Sequence, residues 1–294
     1  MQGTSINSNP GTLEPGGNMM AISDAEFNAL RTLIYNRFGI NLTDQKKSLL
    51  VGRLQKLLRQ QGFANFQNYY DFLVKEPGEK GLSDLINLVS TNYTYFNREK
   101  DHFDYFLQTA LPTVLARLRQ ENRRDLRVWC AGCSTGEEAY TLLILMHECL
   151  GQEYSRWDAG ILATDISQRV LETAAAGAYP EDRIASLPEA WRRKYFRKVS
   201  GNQWGVVDAL KKEATFRRFN LMNTQFPFKK PFHIIFCRNV MIYFDQQTRD
   251  ALVKRFHQST EPGGYLFIGH SETLGRNQSL YRYLMPAAYQ KGTL

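Results

Sequence analysis

The stretch Leu126–Glu138, Leu-Arg-Val-Trp-Cys-Ala-Gly-Cys-Ser-Thr-Gly-Glu-Glu, constrains the fold more than any other part of the chain. An apolar strand runs into a tight Gly/Ser/Thr turn, and the turn opens a helix. In an α/β domain a nucleotide-like ligand sits at such a turn, at the carboxyl end of a strand. The end of the stretch narrows the choice of ligand. A phosphate-binding helix start offers bare N–H groups and the positive end of a dipole. Here Glu137 and Glu138 open the helix, and acidic side chains repel a phosphate. They suit a ligand that is cationic and phosphate-free.

The chain beyond this turn keeps an α/β rhythm. Ala159–Thr164 reads as a second strand, ending in Asp165, and Ser167–Ala176 as the next helix. Phe232–Cys237 is a near-continuous apolar run of the buried parallel kind. Asp245 caps a helix that runs to about Ser259; Tyr265–Gly269 is a further strand, and Leu284–Gln290 closes the sheet. Alternating strands and helices predict a parallel sheet covered on both faces. Gly177–Asn220 breaks the rhythm. Phe196–Val199, Trp204–Val207 and Thr215–Phe219 read as three short strands of an antiparallel insert, placed at about 194–219. Nearby stand Arg192, Arg193, Lys194, Arg197, Lys198, Lys211, Lys212, Arg217 and Arg218, the strongest basic cluster in the chain.

The segment before the turn is all-helical. Residues 1–21, rich in Gly, Asn, Ser, Thr and Pro, read as a disordered tail. Ser23 and Glu26 form a capping-box pattern ahead of Phe27, Leu30, Ile34 and Phe38. A second helix carries Leu50, Leu54, Leu57 and Leu58, with Lys46, Lys47, Arg53, Lys56 and Arg59 between them. Those cations are either a solvated face or a docking face for an acidic or helical partner. Asn65 caps a third helix, Pro77-Gly78 forms a turn, and a fourth helix holds Leu82, Leu85, Ile86 and Val89. These helices form a domain over 22–90. The polar, aromatic segment Ser90–Glu99 marks the change of composition, so residues 91–102 read as a linker, and 103–294 as the α/β domain. Phe103–Leu118 is a helix broken or kinked by Pro112.

The net charge of +8 fits either plain solubility or an anionic partner. No apolar run approaches the ~20 residues of a membrane span, and the first residues lack a signal-peptide pattern. Four cysteines in 294 residues are no disulfide framework, so a cytoplasmic location is expected. Cys130-x-x-Cys133 lacks further ligands at zinc spacing, so no metal is assigned. The five histidines are scattered, and His270 in Gly-His-Ser-Glu reads as structural.

Asp165 either accepts both hydroxyls of a ribose or caps the helix at Ser167. Gly132-x-x-x-Gly136 lacks the glycine spacing that lets backbone touch a pyrophosphate. S-adenosylmethionine instead brings an ammonium, a sulfonium and one carboxylate, which Arg98 suits as a partner. Charge therefore prefers the methyl donor over a dinucleotide.

Five ordered motifs then carry a resemblance: Ser-Thr-Asn-Tyr-Thr-Tyr-Phe-Asn-Arg-Glu, Arg-Val-Trp-Cys-Ala-Gly-Cys-Ser-Thr-Gly-Glu-Glu-Ala-Tyr, Ala-Thr-Asp-Ile, Phe-Cys-Arg-Asn-Val-Met-Ile-Tyr-Phe-Asp and Gly-His-Ser-Glu. From about Ile22 to near the C-terminus the chain resembles the chemotaxis receptor glutamate O-methyltransferases, the CheR family. The resemblance implies an N-terminal helical domain joined to a Rossmann-like methyltransferase domain with a small antiparallel β insertion. It implies methyl transfer from S-adenosylmethionine to glutamates on the cytoplasmic helices of chemoreceptors, with S-adenosylhomocysteine as product. It places Asn92, Thr94 and Arg98 at the cofactor's methionine end or the target carboxylate, Glu138 on the cofactor and Asp165 on the ribose. Asn220 and Leu221 would sit beside the adenine, Arg238 and Asn239 beside the methionine part, and Tyr243 near the transferred methyl. Arg98 and Tyr243 would hold and orient the acceptor. Asn97 and Ala139 depart from the commoner family residues, at positions that match no ligand. The receptor would dock on the basic helix through Arg53, Lys56 and Arg59. Tethering of a receptor's C-terminal pentapeptide by the insert stays open. A monomer is the default expectation, with neither nucleic acid nor membrane insertion. The basic charge alone would equally serve an RNA methyltransferase, and a non-catalytic scaffold would keep the same pocket.

Overall fold

The computed structural model describes residues 20–75, 79–274 and 280–293. The expected tail, up to residue 19, and the Pro77-Gly78 turn lie outside them. Four helices come first: α1 (Asp24–Phe38), α2 (Lys47–Gln60), α3 (Phe66–Lys75) and α4 (Glu79–Val89). The capping box of α1 closes in both directions between Ser23 and Glu26, and Gly39 at φ 71° stops the helix. Phe27, Leu30, Ile34 and Phe38 are the buried positions of α1, and Leu50, Leu54 and Leu58 lie buried on α2. Asn65 Oδ1 accepts from Asn68 N at the start of α3.

Helix α5 (Lys100–Tyr105) begins three residues earlier than the expected Phe103, and the irregular connection ends at Glu99. A π turn over Phe106–Ala110 separates it from α6 (Leu111–Gln120). Pro112 has no N–H to bond back into the preceding turn, and the chain meets that loss by widening the turn rather than breaking.

Among the described residues the sheet holds seven strands in the order β6-β2-β1-β7-β8-β10-β9. They are β1 (Asp125–Ala131), β2 (Asp158–Asp165), β6 (Ala214–Arg218), β7 (Phe232–Cys237), β8 (Thr260–Ile268), β9 (Tyr281–Met285) and β10 (Ala288–Lys291). The first five in that list run parallel, while β10 is antiparallel to both neighbours. Helices α7 (Glu137–Leu150), α8 (Gln168–Ala176) and α12 (Gln246–Ser259) make the crossovers. Alternation along β1 separates two cores. Val128 and Cys130 join the cluster beneath α6 and α7. Trp129 and Ala131 join the opposite cluster, which is continuous with the apolar faces of α1–α4. Trp129 is fully buried, sits among Phe219, Phe226, Phe228, Phe232 and Phe256, and donates from Nε1 to Thr164 Oγ1 at 2.9 Å.

The insert differs from its sequence-based description. A three-stranded antiparallel sheet is present, but its strands are β3 (Ala178–Pro180), β4 (Phe196–Ser200) and β5 (Gln203–Val206). The run expected as its third strand is β6, which pairs in parallel with β2 through Ile161–Asp165 and Ala214–Arg218. Short helices α9 (Glu181–Ile184), α10 (Glu189–Tyr195) and α11 (Asp208–Lys211) fill the insert. A half-buried, half-exposed strand pattern fits either sheet edge, and only long-range pairing decides between them.

An ion cluster closes the end of the sheet away from the glycine turn. Glu261 accepts from Arg123 Nη2 at 2.8 Å and Arg127 Nη2 at 2.6 Å, and faces His233 Nε2 at 3.1 Å. Burial pushes the Glu261 carboxyl up, but its bonds to His233 and Arg123 outweigh that and hold it well below the usual range. A carboxylate depressed by folding adds stability that is complete above the unfolded value and lost as the pH falls below it. The urea midpoint should therefore drop as the pH falls below the ordinary value of 4.5, and Glu261→Gln should flatten that acid-side slope. An unchanged slope in the variant would assign acid sensitivity to other carboxylates.

Candidate active site

The strand order reverses its direction of growth between β1 and β7, and ligands of open α/β sheets bind outside the carboxyl ends of the strands at such a point. A cavity of about 230 Å³ opens there, between the sheet and the N-terminal helices. Asn92, Thr94, Arg98, Glu138, Asp165, Asn220, Leu221, Arg238, Asn239 and Tyr243, the ten sequence-derived site residues, all line it.

The glycine turn makes the floor. Gly132 stands at φ 84°, and its N–H and that of Cys133 both donate to Thr164 O, at 2.7 and 2.9 Å. A Cβ on Gly132 would lie 2.4 Å from Val240 Cγ2, so two cavity-lining loops touch here. Gly132→Ala combines a left-handed backbone with this clash. We expect it to weaken binding of an S-adenosyl ligand by tenfold or more in calorimetry; unchanged affinity would show that the two loops yield freely.

Asp165, buried at the end of β2, accepts Ser134 N on Oδ2 and Ser167 N on Oδ1, both at 2.9 Å. The Ile166 N–H also bears on the carboxylate, which leaves about one lone-pair direction for a ligand. Burial pushes its carboxyl up, against the pull of these backbone bonds. Ser167 itself is the N-cap of α8, so Asp165 steadies the loop without being the cap.

The two acids that open α7 part company. Glu137 is buried away from the cavity, accepts from Thr135 Oγ1 at 2.6 Å and lies 3.8 Å from Arg183 Nη1. Only Glu138 faces the cavity. It is bridged to Arg238 at 2.8 Å and accepts the Cys130 thiol at 3.1 Å. The charge argument thus rests on Glu138 and Asp165, and Arg238 offsets part of it. Cys130, Cys133 and Cys237 are free and buried, and burial raises all three thiols well above their ordinary value.

The connection Ser90–Glu99 forms one wall and is firmly seated. Phe96 is fully buried, edge-on to Tyr179 and Phe196 of the insert. Ser134 Oγ donates to Asn92 O at 3.0 Å, and Arg183 Nη1 donates to Thr94 O at 2.5 Å. Arg98 Nη1 donates to Tyr93 O at 2.8 Å, with its guanidinium 5.8 Å from the Tyr93 ring and 6.0 Å from the Tyr95 ring. Tyr93 is 70 % exposed at the rim.

Glu99 ends the first of the five motifs but carried no expected role. It adopts φ 55°, a left-handed conformation that costs a non-glycine residue about 1–2 kcal/mol. Its carboxylate accepts from Arg238 Nη2 at 2.9 Å, Asn239 Nδ2 at 3.1 Å and the His270 N–H at 3.2 Å. It therefore organises the loop after β7. Glu272, also missed, does the same from the other side, accepting from Asn239 N and Ile242 N at 3.1 Å each. The one available signal was adjacency, Glu99 to Arg98 and Glu272 to the Gly-His-Ser run.

Two residues carry a structural duty beyond their expected ones. The Asn220 side chain donates to Arg37 O at 2.8 Å and accepts from Met222 N at 2.9 Å, tying the sheet to the end of α1. Arg53 does not stand free on a docking face. Its guanidinium donates to the carbonyls of Leu88, Val89 and Ser90 and to Thr91 Oγ1, closing the C-terminus of α4, and it also lines the cavity. A cation satisfying the last carbonyls of a helix is a favourable C-cap. Lys56 and Arg59 remain exposed on the same helix.

The sequence matches the CheR methyltransferase all-alpha domain over residues 25–92 and the CheR methyltransferase SAM-binding domain over residues 92–289. The chain belongs to the CheR methyltransferase family. It is 44 % identical to a chemotaxis protein methyltransferase of Borreliella burgdorferi, over 92 % of this chain and 95 % of that one. It is 36 % identical to the chemotaxis protein methyltransferases of Escherichia coli and Salmonella typhimurium, over 86 % of this chain and 86 % and 85 % of theirs. As a CheR methyltransferase it uses S-adenosylmethionine, and the donor set fits that cofactor. Two carboxylates, one guanidinium at the rim and an apolar wall of Phe219, Leu221 and Val240 offer partners for its cationic, anionic and flat parts. Among the described residues no helix is long and apolar enough to cross a membrane.

Proposed function

We propose that this CheR methyltransferase methylates glutamate side chains on the cytoplasmic helices of chemoreceptors, giving glutamate methyl esters in chemotactic adaptation. The observation that carries the reading is the single cavity into which Asn92, Thr94, Arg98, Glu138, Asp165, Arg238, Asn239 and Tyr243 converge from four separate segments.

Asp165 holds the ribose hydroxyls, and Glu138 the ammonium of the methionine part. Leu221 lies beside the adenine, as does the backbone of Asn220, whose side chain is engaged elsewhere. Arg238 and Asn239 keep Glu138 and Glu99 in place rather than meeting the cofactor with a free head group. When bound, S-adenosylmethionine supplies an electrophilic methyl group. A glutamate carboxylate with a pKa of about 4.3 is already ionised at neutral pH, so the acceptor needs no general base. The protein's contribution is to orient that carboxylate and to strip part of its water. Arg98 and Tyr243 stand at the mouth for this task, and Tyr93, Tyr95 and Leu49 give an apolar rim that sheds water from an incoming helix.

The acceptor helix is acidic in this reading, and Lys56 and Arg59 face solvent on α2 to register it. The double change Lys56→Glu and Arg59→Glu should cut receptor methylation about tenfold while leaving S-adenosylhomocysteine affinity unchanged. Equal loss of both would mark a folding defect. The function as a whole is tested by incubating the chain with methyl-labelled cofactor and a receptor cytoplasmic fragment. Label released as methanol in mild base supports it; base-stable label rejects it.

A further inference from the structure

Behind the Arg238 side of the cavity, Glu99, His102 and His270 bring one ligand atom each to within 4.8 Å of one another. His102 is fully buried, and among the described residues its Nδ1 has no hydrogen-bond partner although it points at Glu99 Oε2, 3.5 Å away. Its other nitrogen, Nε2, lies 3.3 Å from Pro286 O. The imidazole is thus held between two acceptors. Only a doubly protonated ring would satisfy both with N–H bonds. A proton on Nε2, donated to Pro286 O, leaves the Nδ1 lone pair facing a carboxylate.

A metal ion between them removes the conflict. We infer that Glu99, His102 and His270 form a binding site for one divalent transition-metal ion, zinc being the best match to two imidazoles and a carboxylate. The surroundings have the form of a metal site's outer shell. The Nε2–H of His102 is held by a backbone carbonyl. The His270 ring is held by Asp101, with Nε2 and Oδ2 3.1 Å apart. The Glu99 carboxylate is fixed by Arg238, Asn239 and the His270 N–H. Oε2 takes the Arg238 and His270 bonds and Oε1 the Asn239 bond, so the unused lone-pair direction lies on Oε1 and an ion against Oε2 shares that oxygen with its two donors. The 3.5 Å between His102 Nδ1 and Glu99 Oε2 already matches the spacing of about 3.3–3.6 Å between donors of a tetrahedral zinc with bonds of 2.0–2.2 Å. His270 must close by about an ångström, and its side chain is 40 % exposed, which leaves room for that and for a water as fourth ligand.

Arg98 Nε lies 4.0 Å from Glu99 Oε1, and the closer opposing charge is Arg238, 2.9 Å from Glu99. It is shared with Glu138 at 2.8 Å, and Asp101 adds a further negative charge beside His270. The sequence assigned no metal because His270 lies far along the chain from Glu99 and His102. Sheet closure by β8 brings Gly-His-Ser beside the start of α5.

The test uses the untagged, chelator-treated full chain, titrated with Zn²⁺ in a calorimeter and with Co²⁺ by visible absorption. One ion per chain is expected, with d–d bands of a four-coordinate nitrogen–oxygen site. His270→Ala should weaken Zn²⁺ binding at least about tenfold, and Asp101→Asn, an exposed outer-shell change, by about tenfold. Both variants should keep S-adenosylhomocysteine affinity, which shows that they fold. Absence of stoichiometric binding, equal Zn²⁺ affinity in wild type and His270→Ala, or a thiolate-to-cobalt charge-transfer band would overturn the inference.

Discussion

Arg98→Ala should lower the turnover of receptor methylation by about 10²–10³-fold, the cost of deleting a group that orients and stabilises reacting charge. The fold should survive. Among the described residues the part-exposed side chain makes one hydrogen bond, to Tyr93 O, lies 4.0 Å from the Glu99 carboxylate and has two aromatic neighbours at the rim. Losses at such positions stay within about 1 kcal/mol. Turnover and thermal midpoint together check this: a large fall in the first with little movement of the second. Loss of turnover should also exceed loss of S-adenosylhomocysteine affinity, because the acceptor carboxylate is the partner that the product complex lacks. Turnover near that of wild type would remove Arg98 from the acceptor's orientation.

Arg238→Met should be the most destabilising single change in the site. The arginine is buried, joins Glu99 and Glu138 at 2.9 and 2.8 Å, and donates to Arg98 O at 2.5 Å. Removing it leaves two mostly buried carboxylates without the cation they share. Breaking a buried pair by deleting one partner costs about 3–5 kcal/mol, a fall of roughly 10 °C in thermal midpoint for a chain of this size. The cause can be isolated. Adding Glu138→Gln removes one stranded charge, so the double variant should be more stable than Arg238→Met alone. If the second change only adds damage, Arg238 acts by packing on Phe103, over which its guanidinium lies at 5.0 Å, and not by charge.

What could be read from the sequence follows from the range of the forces. Local signals held: the Ser23–Glu26 capping box, the Asn65 cap and the strand–turn–helix at Gly132 and Gly136 are each set by a few neighbouring residues. The family motifs named ten residues, and one cavity gathers them. Failures came where a distant partner decides. β6 left the insert for the main sheet because β2 offered it a free edge. Arg53 looked like a surface cation but caps a helix 35 residues away. Glu137 and Glu138 stand side by side in sequence, yet a helix turns neighbouring side chains about 100° apart, and only Glu138 faces the cavity. Glu99 escaped because its role depends on Arg238, Asn239 and His270, which no spacing rule links to it.

The central claim, glutamate esterification from a cavity shaped for a cationic adenosine cofactor, is tested most directly by locating the transferred methyl. A receptor cytoplasmic fragment methylated by this chain is digested and its peptides sequenced by tandem mass spectrometry. The account predicts methyl groups on glutamate side chains of the fragment's helices, absent when those glutamates are replaced by alanine. Methyl groups on lysine, on a backbone terminus or on co-purified RNA, with the glutamates unmodified, would contradict it.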